Sequence, residues 1–162
     1  MNVDRRDDHP RPESLVFLMG EYRAVIPTDR RYCWNHLWCL PDAGGKGVHR
    51  FGFTAYAVRL LQDVYFLDWY SEPGDHWERR QEIGAIESSK AESALYAPVD
   101  GRVVRFNERL LEDPSWINVD GYGEGWLFEM ACDMAETMTP AEYVAHLERV
   151  WPETQRLIKG QL

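Results

Sequence analysis

Side-chain primary amines are scarce in this chain. Of its 18 basic residues other than histidine, only Lys46, Lys90 and Lys159 are lysines. Lys46 sits in the run Gly44-Gly45-Lys46-Gly47. No Ser or Thr follows it and no long helix follows the turn, which excludes a phosphate-binding P-loop. Lys159 lies close to the C-terminus, where a solvated charge is expected. Lys90 is different. It falls between two strand-like runs, Glu82–Glu87 and Ala94–Ala97, with Ser88-Ser89 before it and Ala91 after it. That spacing predicts a hairpin tip. A flexible lysine stem on such a tip, flanked by small residues, presents its amine to a modifying enzyme. Without modification the same residue is only a solubilising charge.

Cys33, His36 and Cys39 suggest a second chemistry, metal binding. On a continuous strand, Cys33 and Cys39 would share a face and His36 would point away. Six residues of strand also span about 20 Å at roughly 3.3 Å each. That is too far for one metal ion or a disulfide. No metal site is expected. Cys33, Cys39 and Cys132 are expected as buried structural thiols. Three cysteines, an odd number, fit free thiols in a reducing compartment.

The elements that must position Lys90 follow from pattern and punctuation. Residues 1–20 read as an N-terminal arm, with no periodic apolar face over the first fourteen. Trp34–Leu40 and Val48–Phe53 read as a hairpin turning at Pro41–Gly45. Thr54 should cap a short helix to Gln62. Val64–Trp69 reads as a buried strand, and Pro73-Gly74-Asp75 and Pro98–Gly101 as turns. Arg102–Asn107 alternates like a strand. Asp113-Pro114 opens a helical turn, and Trp126–Met130 is the last strand. Thr139-Pro140-Ala141-Glu142 is a capping box with proline at the first helical position. Tyr143, Leu147 and Val150 form the apolar face of that helix, and Pro152 should end or kink it.

Size and charge bound the function. A chain of 162 residues with 44% hydrophobic residues is expected to form one globular domain with a real core. The net charge of −9 argues against a nucleic-acid or anionic-membrane binder. It could instead steer a basic docking face of an enzyme partner. Most of the seven tryptophans are expected in core or cleft walls. No apolar run approaches the roughly 18 residues of a membrane span, and the N-terminus lacks a signal-peptide pattern. A cytoplasmic protein is expected.

The stretch Ile83-Gly84-Ala85-Ile86-Glu87-Ser88-Ser89-Lys90-Ala91, continuing through Ser93 and Pro98-Val99-Asp100-Gly101, resembles the lipoylation hairpin of the glycine cleavage system H-protein family. The resemblance extends downstream through Val103–Glu108, Asp113-Pro114, Ile117-Asn118 and Tyr122–Leu127. Upstream it includes Phe51–Ala57 and Leu60–Val64, so that it covers about residues 30–130. It implies a mostly β fold of the lipoyl/biotinyl type, a barrel-sandwich hybrid with a short internal helix and a C-terminal helix. Residues 21–131 would form the lipoyl-carrier domain, and residues 132–162 a helical segment packed on it. It also implies lipoic acid joined to Lys90, with Glu87, Ser88, Ser89 and Ala91 around the attachment point. Biotin is disfavoured, because its lysine is typically flanked by methionines. The family is a non-catalytic carrier. Its arm takes an aminomethyl group from glycine decarboxylase, surrenders it to an aminomethyltransferase, and is reoxidised by dihydrolipoyl dehydrogenase. A lipoate ligase or lipoyltransferase loads it.

Two positions depart from that pattern. The family's acidic residue before Trp38 is Leu37 here, and its aspartate four residues after the lysine is Ala94. Asn35, His36 and Glu92 remain as cleft candidates, Glu92 because it shares a strand face with Ala94. The double departure keeps two alternatives open: an H-like lipoate-binding carrier for another pathway (sulfur oxidation or lipoyl relay), or an unmodified interaction module.

Overall fold

Residues 13–160 are described by the computed structural model. Strands β1 (Ser14–Met19) and β2 (Tyr22–Pro27) form an antiparallel hairpin. Next come β3 (Arg31–Tyr32), β4 (Leu37–Gly45), β5 (Val48–Phe53), helix α1 (Ala55–Leu61), β6 (Val64–Trp69) and β7 (His76–Trp77). Then follow β8 (Glu82–Ser88), β9 (Glu92–Tyr96), β10 (Gly101–Phe106), α2 (Glu108–Glu112), α3 (Trp116–Val119), β11 (Phe128–Ala131) and α4 (Pro140–Gly160). A six-stranded sheet has the order β3-β4-β5-β11-β10-β7, and a three-stranded sheet the order β6-β8-β9. The fold is mostly β with a C-terminal helix, the barrel-sandwich architecture that the resemblance implies.

Two apolar cores hold these layers. The larger joins the two sheets through Phe51, Trp77, Ile83, Val103 and Phe128. The smaller packs the β1–β2 hairpin, α1 and α4 together through Phe17, Ile26, Tyr56, Tyr143 and Leu147. Trp38, fully buried, also belongs to the smaller core. Its indole lies so close to Gly52 on β5 that no side chain fits there. Beside the sheet, the buried Glu129 carboxylate accepts from Arg50, at 3.0 Å, and from Arg105.

Several expectations change. Residues 14–19, placed in the arm by their sequence, form β1. Phe17 and Met19 alternate into the core there, while Leu15, Val16 and Leu18 stay exposed. Residues 1–12 lie outside the described residues. The stretch Pro41–Gly45 belongs to β4, which accommodates it by a register irregularity after Leu40. The reversal comes later, at Lys46 and Gly47. Trp34 and Asn35 are not in a strand but in a tight turn. Val64–Trp69 is a strand, but only half buried, with Tyr65 and Phe66 outside. Helix α4 runs through Pro152 to Gly160. The hydrogen bond that Pro152 lacks would have served the carbonyl of Glu148, on the exposed face, where water can serve instead.

Candidate functional site

Glu87 and Glu92 are the last cross-strand pair of β8 and β9, and Ser88 to Ala91 close the tip between them. The Ser88 N–H donates to the Ala91 carbonyl at 2.8 Å. The buried Ser88 hydroxyl oxygen accepts from the N–H groups of Lys90 and Ala91 at 3.3 and 3.2 Å. A serine oxygen in this position mimics a backbone acceptor and fixes the turn. Ser89 bonds outward: its N–H donates to the Asp63 carbonyl at 2.9 Å, and its Oγ accepts from the Asp63 N–H at 3.2 Å. These bonds latch the tip to the connection between α1 and β6. Lys90 is exposed, and no carboxylate of the described residues lies within ion-pair distance of it.

A cavity of about 270 Å³ lies next to the hairpin, lined from both sheets and α1. Its walls are chiefly apolar, with Leu37, Phe53, Leu60, Ile86, Ala94 and Leu95 among them. No carboxylate of the described residues lines it. Asn35 and His36 are among its polar members, with the hydroxyl-bearing Ser93 and Tyr96. The Asn35 amide nitrogen donates to the Tyr96 carbonyl at 2.9 Å, while its buried Oδ1 has no partner among the described residues. His36 ends the tight turn that brings both residues to the cavity. The His36 N–H donates back to the Cys33 carbonyl, and the Cys33 N–H donates across to the Leu37 carbonyl. A left-handed φ of 65° at His36 makes the reversal.

His36 is held from two sides. Its Nδ1 lies 3.0 Å from the Tyr143 hydroxyl of α4, and its ring packs on Tyr56 of α1 at 4.7 Å between centroids. The same Tyr143 hydroxyl lies 2.9 Å from Thr54 Oγ1, which also accepts from the Ala57 N–H to cap α1. Burial, with His146 5.8 Å away, pushes the His36 pKa down to about 4. The imidazole is therefore neutral at pH 7. The cavity can take an apolar group, and Asn35 Oδ1 is a neutral acceptor there without a partner among the described residues.

The model of the glycine cleavage H-protein family matches residues 30–149. The chain belongs to this family. It is 42% identical over 110 residues to the glycine cleavage system H protein of Alteromonas mediterranea, a match covering 68% of this chain and 83% of the relative. It is 36% identical over 129 residues to the H protein of Carboxydothermus hydrogenoformans, covering 77% and 96% of the two chains. The crystal structure of a glycine cleavage system H protein from Mycobacterium marinum superposes with a TM-score of 0.66 at 35% identity. It covers 75% of this chain and 98% of that one. H-protein family members are lipoate-bearing carriers rather than catalysts.

Of the H-protein candidates read from sequence, Asn35 and His36 meet at the cavity, together with Leu37 and Ala94. Glu92 does not. As the first residue of β9 it stands opposite Glu87, exposed, while the cavity wall begins at Ser93. It stands outside the wall that Ala94 lines. Tyr143 and the Asp63–Ser89 latch were missed, because each joins residues far apart in sequence.

The cysteine geometry also needs correction. The chain doubles back at residues 33–36, so that Cys39 pairs with Arg31, and the 20 Å strand argument does not apply. Cys33 and Cys39 are nonetheless free and buried, and the Cys39 thiol contacts the Met134 sulfur at 3.3 Å. Burial pushes all three thiols up, Cys132 to about 12, so that none is a thiolate at neutral pH. Among the described residues no group of three His, Cys, Asp or Glu side chains could hold a metal ion, and no helix is long and apolar enough to cross a membrane.

Proposed function

We propose that this chain is a lipoyl carrier and that Lys90 bears the lipoyl group as an amide. The observation that carries this reading is the exposed Lys90 amine at a tip fixed by Ser88 and latched by Ser89. The residues present suit an acylated lysine. Among the described residues the amine has no ion pair to break, Ser89 and Ala91 leave room for a transferring enzyme, and the turn keeps its shape when the charge is removed. A bound lipoyl group supplies a dithiolane on a long arm. The chain itself supplies the turn that presents the arm, the apolar cavity that can shelter its end from water, and the acidic surface on which partners dock. Those partners are glycine decarboxylase, an aminomethyltransferase and dihydrolipoyl dehydrogenase, with a lipoate ligase or lipoyltransferase to load Lys90. The free thiols suit a cytoplasmic setting. Co-expression with a lipoate ligase, followed by intact mass, tests the assignment. The lipoyl mass should appear in the parent and vanish in Lys90→Arg. An unmodified parent would leave an interaction module as the better description.

A second reading, a lipoate carrier serving sulfur oxidation or lipoyl relay, is favoured by one feature. Leu37 and Ala94 both line a wall to which no carboxylate of the described residues contributes, so none of those residues neutralises a cationic aminomethyl group there. Reconstituted glycine decarboxylation separates the two. Turnover matching that of an H protein with both carboxylates would dismiss the second.

A further inference from the structure

A second hollow, of about 590 Å³, begins at the tip itself: Lys90 and Ala91 are part of its wall. Met19 of β1, Leu60 of α1, and Trp151, Leu157 and Ile158 of α4 give it an apolar lining, with Arg59, Gln62 and Thr154 as polar members. Met19 and the α4 residues fall outside the stretch 30–149 that the family model matches. The groove therefore depends on segments outside the stretch that the family model matches.

Its walls are fixed by contacts. The Tyr56 hydroxyl donates to Thr154 Oγ1 at 3.0 Å, and the Tyr56 ring meets Trp151 edge-on at 6.1 Å and Phe17 at 6.2 Å. The Arg59 guanidinium lies over the Tyr22 ring at 4.5 Å. Yet Leu157 is 70% and Ile158 40% exposed, an apolar wall left facing solvent.

We infer that this groove is a resting seat for the acyl group carried on Lys90, separate from the His36 cavity. The inference rests on the lipoyl-carrier reading. A group joined to Lys90 starts within the groove, so the tether alone gives it a high local concentration there. Amide formation removes the ammonium charge that an apolar lining disfavours. An aliphatic chain ending in a dithiolane matches the lining, and the volume falls within the roughly 300–1,000 Å³ of small-ligand sites.

The test uses the full-length chain, lipoylated with isotope-labelled lipoate. Intact mass first establishes loading; a chain that takes no lipoate defeats the carrier reading and this inference with it. On the loaded protein, lipoyl methylene protons should show nuclear Overhauser contacts to the Trp151 indole and the Leu157 and Ile158 methyls. These contacts should be lost in Leu157→Gln/Ile158→Gln, which keeps good helix formers, α4 content and loading. Contacts only to Phe53, Ala57 and Leu95 would put the arm in the His36 cavity and overturn the inference while leaving the carrier intact. Sharp methylene signals without protein contacts would also overturn it.

Discussion

His36 Nδ1 lies 3.0 Å from the hydroxyl of Tyr143, a residue 107 positions further along the chain. Through this contact the cavity beside the lipoyl-type hairpin is tied to the C-terminal helix. The hydroxyl also reaches Thr54 Oγ1, so one oxygen joins the His36 turn, the start of α1 and the face of α4.

Tyr143→Phe keeps the ring that stacks on Tyr32 at 4.6 Å but removes that oxygen. Buried Thr54 and half-buried His36 lose that bond, at a cost of about 1–3 kcal/mol. Urea denaturation should show a lower midpoint with an unchanged slope.

His36 makes stability fall in mild acid. Its folded pKa, about 4, is below the ordinary 6.5 because of burial and then His146. Between those values the unfolded chain binds more protons than the folded one. The stabilisation is complete above about pH 6.5 and is lost as pH falls toward 4. The loss can reach about 3 kcal/mol. His146, also shifted down by burial, adds in the same direction. His36→Asn tolerates the left-handed backbone. It should be less stable at pH 7 and show a shallower decline to pH 4.5, measured by denaturant midpoints across that range.

Glu129 is 1% exposed and accepts from Arg50 and Arg105 on neighbouring strands. Removing a buried partner leaves charge uncompensated, at a typical cost of about 3–5 kcal/mol. Arg50 and Arg105 are partly exposed, so Glu129→Ala should fall at or below the low end. Thermal unfolding should report it, while loading of Lys90 stays unchanged.

Ser88→Ala removes the acceptor for the Lys90 and Ala91 N–H groups. Amide hydrogen exchange should quicken at those two residues and little elsewhere. Ligase-catalysed loading should slow, because the enzyme then meets a looser turn. Unchanged exchange would show that the hydroxyl does not shape the tip.

What could be read from the sequence was local. The capping box appears as expected: the Thr139 N–H donates to Glu142 Oε1 at 2.9 Å, and Thr139 Oγ1 accepts from the Glu142 N–H at 3.2 Å. Thr54 caps α1, and Lys90 crowns the β8–β9 turn. The misplaced features depend on distant partners or unusual backbone. Residues 33–36 turn because a histidine, not a glycine, takes φ 65°, which leaves no punctuation in the sequence. Strand β1 is a continuous apolar run from Leu15 to Met19, and it needs β2 and α4 to bury Phe17 and Met19. Helix α2 has only five residues, too few to show a periodic face. The site divides in the same way. Its tip was legible, whereas its cavity is assembled from segments spread over most of the chain.

That division has a consequence for the order of events during synthesis. The bonds that shape the tip all come from residues 63–91, whereas His36 is anchored by a residue at 143. As the chain leaves the ribosome, the lysine turn can form before the helix that secures the cavity has been translated. A ligase acting early would meet a complete target on an unfinished protein, and closing α4 would then confine an arm already in place.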